Sequence, residues 1–288
     1  MDPKQIVGLT LQVSIMAIVF GFGLNTTLAD MLYLVRRPGL LVRSLLAMWV
    51  IVPAIAVGLV RMFDLPPKVE VVLVALAISP VPPLLPKKQT KAGGQASFGV
   101  GLMAILCLLS IVAVPLLLDI LGRVFDRSLA IAPAAIAGLV AKAVLAPLAA
   151  GMILRALLPR AAERIAKPVM VVATVLLLLA ALVLIVAAAP AIRAVIDGPT
   201  VLAMVILTVA GLAVGHWLGR PDPEHSTVLA LSAACRHPAI ALAIAATNFP
   251  DERFGAIILL YVLVNALAVV PYLMWRKKRA ATAAPAAA

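Results

Sequence analysis

The sequence predicts an all-α polytopic membrane protein with nine transmembrane helices, in which two inverted repeats each contain a discontinuous crossing helix. Three observations support this fold class. Hydrophobic residues make up 64% of the 288 residues, and the mean hydropathy of +1.15 excludes a soluble globular domain. The apolar residues fall into nine long runs separated by short basic segments. Two of these runs are interrupted by prolines at corresponding places in the chain.

Seven of the runs are long enough for an uninterrupted transmembrane helix, which needs about 20 apolar residues. They cover residues 6–28, 39–61, 96–121, 130–157, 168–189, 199–219 and 254–275. The other two runs, 69–92 and 226–249, cross the membrane only if their prolines lie inside it. Because proline removes a backbone hydrogen bond, we expect both runs to be broken helices. The breaks are predicted at Ser79–Pro83, which contains Pro80, Pro82 and Pro83, and at Arg236–Pro238.

The two broken runs divide the chain into related halves. Relative to Pro80 and Pro238, span 39–61 corresponds to span 199–219, and span 96–121 corresponds to span 254–275. The number of intervening spans gives the halves opposite orientations, which is typical of secondary transporters that bind substrate at the midplane. We therefore predict a first repeat of four spans over 1–128, a second repeat of five spans over 129–279, and a disordered tail over 280–288.

The basic residues indicate topology rather than nucleic-acid binding. Although the net charge is +12, most of the 24 Lys and Arg residues lie between apolar runs. An N-terminus outside and a C-terminus in the cytoplasm place most of them on the cytoplasmic side, as the positive-inside rule requires. We expect a multi-pass protein of the plasma membrane, which in a bacterium is the inner membrane. Cys107 and Cys235 lie within apolar runs, a setting that favours neither a disulfide nor a thiolate metal site.

Arg236 is the strongest candidate for a functional residue, because an arginine at mid-membrane costs about 2.5–3.5 kcal/mol on insertion scales and needs a partner. No acidic residue falls near the middle of a predicted span. Two partners remain: an anionic substrate, or the free carbonyls at the end of the half-helix that precedes Pro238. We interpret Arg236 as a fixed cation that binds the anionic group of a substrate. The alternative is a purely structural plug.

Other polar residues could share this site, and each has a second interpretation. His237 could titrate near neutral pH and couple transport to protons, or it could cap the broken backbone. Lys142, in span 130–157, could face the substrate cavity or donate to carbonyls of a broken helix, and both place it inward. Ser79 and Ser232 are neighbours of the breaks, and Asn265 could bind substrate or join helices.

Lys87, Lys88 and Lys91 follow the first break. If Pro82 and Pro83 open the second half-helix, the positive end of that helix points toward the anion site at mid-membrane. The three lysines would then line an inward funnel that attracts anions. The alternative is an ordinary positively charged cytoplasmic loop.

From Phe20 onward the sequence resembles the bile acid:sodium symporter (BASS) family. The resemblance is carried by short motifs at Gly21–Leu24, Asp30, Arg36–Pro38, Pro53, Ser79–Pro80, Ala92–Gly94 and Ala239–Ala243. It implies a core domain in which two broken helices cross beside sodium ions and an organic anion, with a panel domain next to the core. Members of the family commonly have ten spans, so this chain resembles a member without the first.

The sequence departs from the family at the expected sodium ligands. With Pro80 placed on the family's crossover proline, the positions of a usual Ser-Asn pair and of two hydroxyl residues are held by Leu85, Pro86, Gly99 and Met103. In the second crossover the usual Glu, Gln and Asn are replaced by Ser232, Arg236 and His237. Sodium needs a cage of oxygens and is repelled by a guanidinium. We therefore interpret Arg236 as standing where the family's sodium would stand.

These features predict a secondary transporter of a small organic anion that works by alternating access, without covalent chemistry, cofactor or metal site. The resemblance implies sodium coupling, whereas the residues favour proton coupling or uniport. Two other classes stay open. A non-transporting receptor or partner subunit would keep the crossover without flux. An intramembrane enzyme would need a nucleophile with its base, or a metal motif, and the three histidines form no such motif.

Overall fold

The computed structural model describes residues 3–126 and 128–283, and within these ranges every regular element is helical. Eight helical segments are long and apolar enough to cross a membrane: Gln5–Gly23, Pro38–Met62, Ala96–Val124, Pro133–Leu157, Pro159–Arg193, Gly198–Leu218, Pro223–Asn248 and Gly255–Ala280. The predicted all-α polytopic membrane class is confirmed. The count of nine spans stays a prediction, because the two short helices of the run at 69–92 are separated by Ser79–Leu84, a longer break than the one at Cys235–His237 within Pro223–Asn248.

The α-helices in chain order are α1 (Pro3–Gly23), α2 (Leu28–Met31), α3 (Pro38–Leu46), α4 (Val52–Met62), α5 (Pro67–Ile78), α6 (Leu85–Lys91), α7 (Ala96–Val124), α8 (Pro133–Val140), α9 (Ala146–Leu157), α10 (Pro159–Arg193), α11 (Gly198–Leu218), α12 (Pro223–Ala234), α13 (Pro238–Asn248), α14 (Gly255–Ala268) and α15 (Val270–Ala283). The last helix includes the first four residues of the predicted disordered tail, which are therefore helical. Residues 284–288 of that tail lie outside the described residues.

The first broken span is wider than the sequence predicted. Helix α5 ends at Ile78 and α6 begins at Leu85, so the break extends through Leu84 rather than ending at Pro83. Pro82 and Pro83 lie within the break, and it is Pro86 that occupies the first turn of α6. The proline-rich sequence thus delays the start of the second half-helix until the turn at residues 83–84.

The second broken span changes direction over fewer residues. Helix α12 ends at Ala234 and α13 begins at Pro238, so the break is Cys235–His237 and Pro238 is already helical. A proline in the first turn of a helix sacrifices no backbone hydrogen bond, which explains why α13 begins there. Arg236 therefore lies in the middle of the break rather than at its start.

The span from α3 to α4 contains a π-helical turn, Ala47–Ile51, which ends two residues before Pro53. In this turn the N–H of Val52 donates to the carbonyl oxygen of Ala47, five residues earlier. In the same register Pro53 would pair with Met48, but proline has no N–H to donate. The carbonyl oxygen of Met48 is thereby left available to a side-chain donor, and π-turns of this kind are frequent at functional sites.

The helices pack into two groups. The panel consists of α1, α8, α9 and α10, and the core consists of the remaining long helices around α5, α11 and α12. The groups meet where α7 contacts α8 and where α10 contacts α14. Within the core, α11 and α12 approach so closely that a Cβ atom added to Gly215 would lie 2.3 Å from the carbonyl oxygen of Leu229.

The segment between α1 and α3 links the panel to the core. Its panel end is held by Arg155 of α9, whose Nη1 donates to the carbonyl oxygen of Leu24 at 3.1 Å. Its core end is held by Asp30, which accepts hydrogen bonds from the Ser97 hydroxyl of α7 at 2.5 Å and from Thr27. Burial raises the pKa of the Asp30 carboxyl, but these hydrogen bonds outweigh burial and leave that pKa below its ordinary value. The ionised Asp30 therefore fastens the link to the core.

Candidate functional site

The two helix breaks contact each other deep inside the core. The backbone N–H of His237 donates to the carbonyl oxygen of Pro80 at 2.9 Å, and α13 packs against α5. Ser79 is fully buried, and Arg236 and His237 are only 3% and 7% exposed. The structure therefore brings together three of the residues that the sequence singled out.

Arg236 uses only part of its guanidinium to bind the protein. Its Nη1 donates to the carbonyl oxygens of Met48, at 3.1 Å, and Ser79, at 3.3 Å. Its Nε and Nη2 atoms are buried without a hydrogen-bond partner among the described residues. Nε and Nη2 lie on one edge of the planar guanidinium, an edge that can donate two parallel hydrogen bonds to a carboxylate. One side of the guanidinium thus bridges the π-helical turn before α4 and the break after α5, and the other side has two N–H donors that are not used.

The carbonyls at the ends of the half-helices are satisfied by neighbouring side chains. Trp49 Nε1 donates to the carbonyl oxygen of Ile78 at 3.2 Å, at the end of α5. At the end of α12 the carbonyl oxygen of Ala234 accepts from the Tyr261 hydroxyl at 3.1 Å and from Asn265 Nδ2 at 2.8 Å. Unpaired helix-end carbonyls are costly away from water, so these side chains hold each break in its observed shape.

Gln89 of α6 joins the first broken span to α12. Its Nε2 donates to the carbonyl oxygen of Val228 at 3.0 Å and to Ser232 Oγ at 2.8 Å, and the residue is 1% exposed. Its Oε1 is buried without a hydrogen-bond partner in the described chain. A Cβ atom added to Gly99 would lie 2.6 Å from this oxygen, so the glycine provides the space that the amide occupies.

Two cavities flank the crossing. One, of about 130 Å³, borders α5 before its break and α13, and its lining includes Val71, Val74, Ile244 and Asn248. The other, of about 210 Å³, lies between the end of α1 and helices α6 and α7, beyond the break, and its lining includes Asn25, Thr26, Asp30, Thr90 and Ser97. The second cavity is bordered by both panel and core.

The remaining predicted residues have individual positions. The Ser79 hydroxyl donates to the carbonyl oxygen of Ala75 at 2.7 Å, so Ser79 contacts Arg236 through its backbone. The His237 ring makes no hydrogen bond that caps α13, and its Nδ1 is buried without a partner among the described residues. Asn265 also donates to the Thr208 hydroxyl at 3.1 Å, so both of its amide hydrogens bind the protein.

Of the two predicted roles of Lys142, donation to carbonyls of a broken helix does not occur among the described residues, and a position facing the substrate cavity stays a prediction. Lys142 lies in the π-helical stretch Ala141–Leu145 between α8 and α9, and its side chain is exposed. Within the described chain it forms no hydrogen bond with either helix break. The physical reason is that Ala141–Leu145 belongs to the panel, whereas the breaks and their free carbonyls belong to the core.

The three lysines after the first break divide into two kinds. Lys88 and Lys91 are exposed, whereas Lys87 is half-buried and its Nζ donates to Thr174 Oγ1 of α10 at 2.9 Å. Lys87 therefore connects α6 of the core with the panel. Lys88 and Lys91 keep their charges accessible.

Sequence reasoning missed three residues that shape the site: Trp49, Gln89 and Tyr261. Gln89 stands among the lysines of α6, where a polar side chain is usually interpreted as part of a solvated basic segment. Trp49 and Tyr261 are aromatic residues in apolar runs, where membrane anchoring or packing is the usual interpretation. The available signal was that indole N–H and phenol O–H groups in a membrane interior need acceptors, and a broken helix offers them.

We expect the simultaneous replacement of Tyr261 and Asn265 to destabilise the protein by more than the sum of the two single replacements. Tyr261→Phe or Asn265→Leu alone leaves one donor on the Ala234 carbonyl. The double variant leaves that carbonyl unsatisfied, which lowers the free energy of unfolding by about 1–3 kcal/mol more than the sum of the single losses. Thermal unfolding of the detergent-solubilised protein would measure this difference. As a control, Asn265→Leu combined with Tyr272→Phe should be additive, because Tyr272 contacts Ser226 and His216 instead. Additive losses for the Tyr261 pair would contradict the shared role.

Comparison with known proteins supports the transporter architecture. A model of the Sodium Bile acid symporter family matches residues 12–194, which is more than half of the chain and includes the first helix break. A comparison with curated proteins gives no significant match. The second break, with Arg236, lies beyond the matched residues. On the extent of this match, together with the apolar helices, the chain belongs to the sodium bile acid symporter family and is a multi-pass protein of a membrane-transporter family.

Proposed function

We propose that this protein is a secondary carrier of a small organic anion, which binds to Arg236 at the crossing of the two broken helices. The observation that carries this proposal is the buried, unpartnered Nε and Nη2 edge of Arg236, a residue that is 3% exposed. A buried charge is costly unless it is paired, and both described partners of Arg236 are neutral carbonyls. An anionic group would supply the missing charge.

The surroundings of Arg236 hold its charge in place without neutralising it. Helices α5 and α12 both end at the crossing, so the partial negative charges of their C-terminal ends lie next to the guanidinium. These dipoles explain how a cation is tolerated between transport events. They leave the bidentate edge free for a substrate carboxylate or a comparable oxyanion.

Alternating access gives the substrate a route to this buried site. The two cavities border the first broken span before and after its break, and the larger one lies between panel and core. Movement of the core against the panel would extend one cavity or the other to Arg236. Lys88 and Lys91, exposed beyond the first break, would raise the local concentration of anions on the cytoplasmic side.

The other candidate residues take supporting roles in this proposal. His237 and Ser232 lie on α12 or its break and would contact the substrate once the site opens. Asn265 would adjust the position of the Ala234 carbonyl, and Lys142 would act from the panel, where its exposed ammonium could meet the anion during rocking. We also propose the inverted repeats over 1–128 and 129–279, an external N-terminus, a cytoplasmic C-terminus and a location in a bacterial inner membrane.

Uptake into proteoliposomes tests the function directly. The purified protein would be offered a panel of labelled mono- and dicarboxylates, sulfonates and matched neutral amides. We expect saturable uptake of at least one anion and none of its neutral amide. Binding of an anion without flux would identify a receptor or partner subunit instead, and turnover of a lipid or peptide without solute flux would identify an enzyme.

A further inference from the structure

We propose that Arg236 and Gln89 are built-in replacements for two bound cations, so that this member of a sodium symporter family does not bind sodium at its crossing. The observation is the same at both places. A side-chain nitrogen donates two hydrogens to two oxygens: Arg236 Nη1 to carbonyls of two different spans, and Gln89 Nε2 to two oxygens one turn apart on α12. A cation bound there would be held by those same oxygens.

At Arg236 the replacement uses carbonyls that the sequence has freed. The Met48 carbonyl lacks its π-turn partner because Pro53 has no N–H, and the Ser79 carbonyl lies in the break after α5. Nη1 joins these two oxygens across two helices, as a cation would. A sodium ion placed beside this guanidinium would face like-charge repulsion at close range, which the neutral carbonyls could not overcome.

At Gln89 the replacement is a neutral amide. Nε2 joins the Val228 carbonyl and the Ser232 hydroxyl, and Gly99 leaves room for the amide where a side chain would collide with Oε1. These oxygens lie 2.8 to 3.0 Å from the nitrogen, a hydrogen-bond distance. A hard metal ion such as calcium needs about six to eight oxygens at about 2.3–2.6 Å. The oxygens at this position are already occupied by the amide hydrogens.

The sodium that the family name implies therefore fits neither position. Because both nitrogens are covalently part of the chain, they remain at the crossing throughout the transport cycle and carry no energy from an ion gradient. The proposal predicts a carrier whose flux follows the gradient of its substrate or of protons.

Thermal unfolding in matched salts tests this inference without any substrate. The midpoint of the full-length protein in detergent would be measured in sodium, potassium and choline chloride at equal ionic strength. A ligand that binds only the folded protein raises the midpoint, so a bound sodium ion would separate the three curves. We expect the same midpoint in all three salts and no saturable binding of radioactive sodium. A rise specific to sodium would overturn the inference, whatever the outcome of the uptake assays.

Gln89→Glu tests whether the amide occupies a cation position. The variant exchanges the bridging nitrogen for a carboxylate oxygen beside Val228 and Ser232, which leaves a cluster of oxygens that needs a cation. We expect a lower midpoint in choline chloride that sodium chloride partly restores. Gln95→Glu, a matched change at the start of α7, should show no difference between the salts. An equal loss in both salts for Gln89→Glu would count against the inference.

Discussion

Uptake of the transported anion is expected to fall about tenfold to a hundredfold when Arg236 is replaced by lysine, although the protein remains folded. A lysine ammonium can still donate to the Met48 and Ser79 carbonyls and keeps the positive charge. It cannot reproduce the Nε and Nη2 edge. A hydrogen bond to a charged group contributes about 1.5–3 kcal/mol, and that contribution sets the size of the loss.

Arg236→Gln should have the larger effect, because it also removes the charge that pairs with the anion. We expect uptake to disappear and the thermal midpoint to fall, since the two carbonyls lose their charged donor. Arg236→Lys separates these effects: its midpoint should stay close to that of the wild type while its uptake falls. Initial rates of uptake, normalised to folded protein in the vesicles, would provide the measurement.

Arg123→Gln is the matched control for these variants. Arg123 pairs with Asp119 on the exposed surface of α7, where its side chain is 80% exposed. A surface ion pair of this kind contributes about 0–1 kcal/mol, so uptake and stability should both be unchanged. Undiminished uptake by Arg236→Lys and Arg236→Gln would exclude Arg236 as the anion site and leave it a structural plug.

The sequence predicted the broken spans because their cause is local. Pro80, Pro82 and Pro238 remove backbone donors at fixed positions, and no packing arrangement can restore them. The exact bounds depended on tertiary contacts. The position of the second break is fixed by the hydrogen bond from the His237 N–H to the Pro80 carbonyl in the other half of the chain. No local sequence pattern specifies this pairing.

The partners of Arg236 show the limit of sequence reasoning at the site itself. The sequence leaves two kinds of partner open, a substrate and the helix carbonyls. The structure pairs Nη1 with carbonyls, while Nε and Nη2 stay unpartnered within the described chain. Met48 could not be foreseen as an acceptor, because its free carbonyl arises from a π-turn five residues before a proline. The sequence could not assign Lys142 to the panel, because charge alone does not reveal which helix group a span joins.

Gly215→Ala is expected to destabilise the protein strongly, whereas the same substitution at Gly58 should stabilise it slightly. The added Cβ at Gly215 would lie 2.3 Å from the Leu229 carbonyl oxygen and 2.5 Å from its carbonyl carbon. Both atoms belong to the backbone of α12 and cannot rotate away as a side chain could. The helices must therefore separate, and overpacking of this kind costs about 1–3 kcal/mol or more.

At Gly58 of α4 a Cβ atom meets nothing within 4 Å, so only the helix propensity changes. Alanine is favoured over glycine within a helix by about 0.5–1 kcal/mol, which gives the two variants opposite signs of effect on the thermal midpoint. Helix α12 also leads directly into the break that carries Arg236, so its displacement by Gly215→Ala should reduce uptake as well. Equal midpoints for the two variants would mean that α11 and α12 can separate without cost. In that case the position of Arg236 would not depend on their close packing.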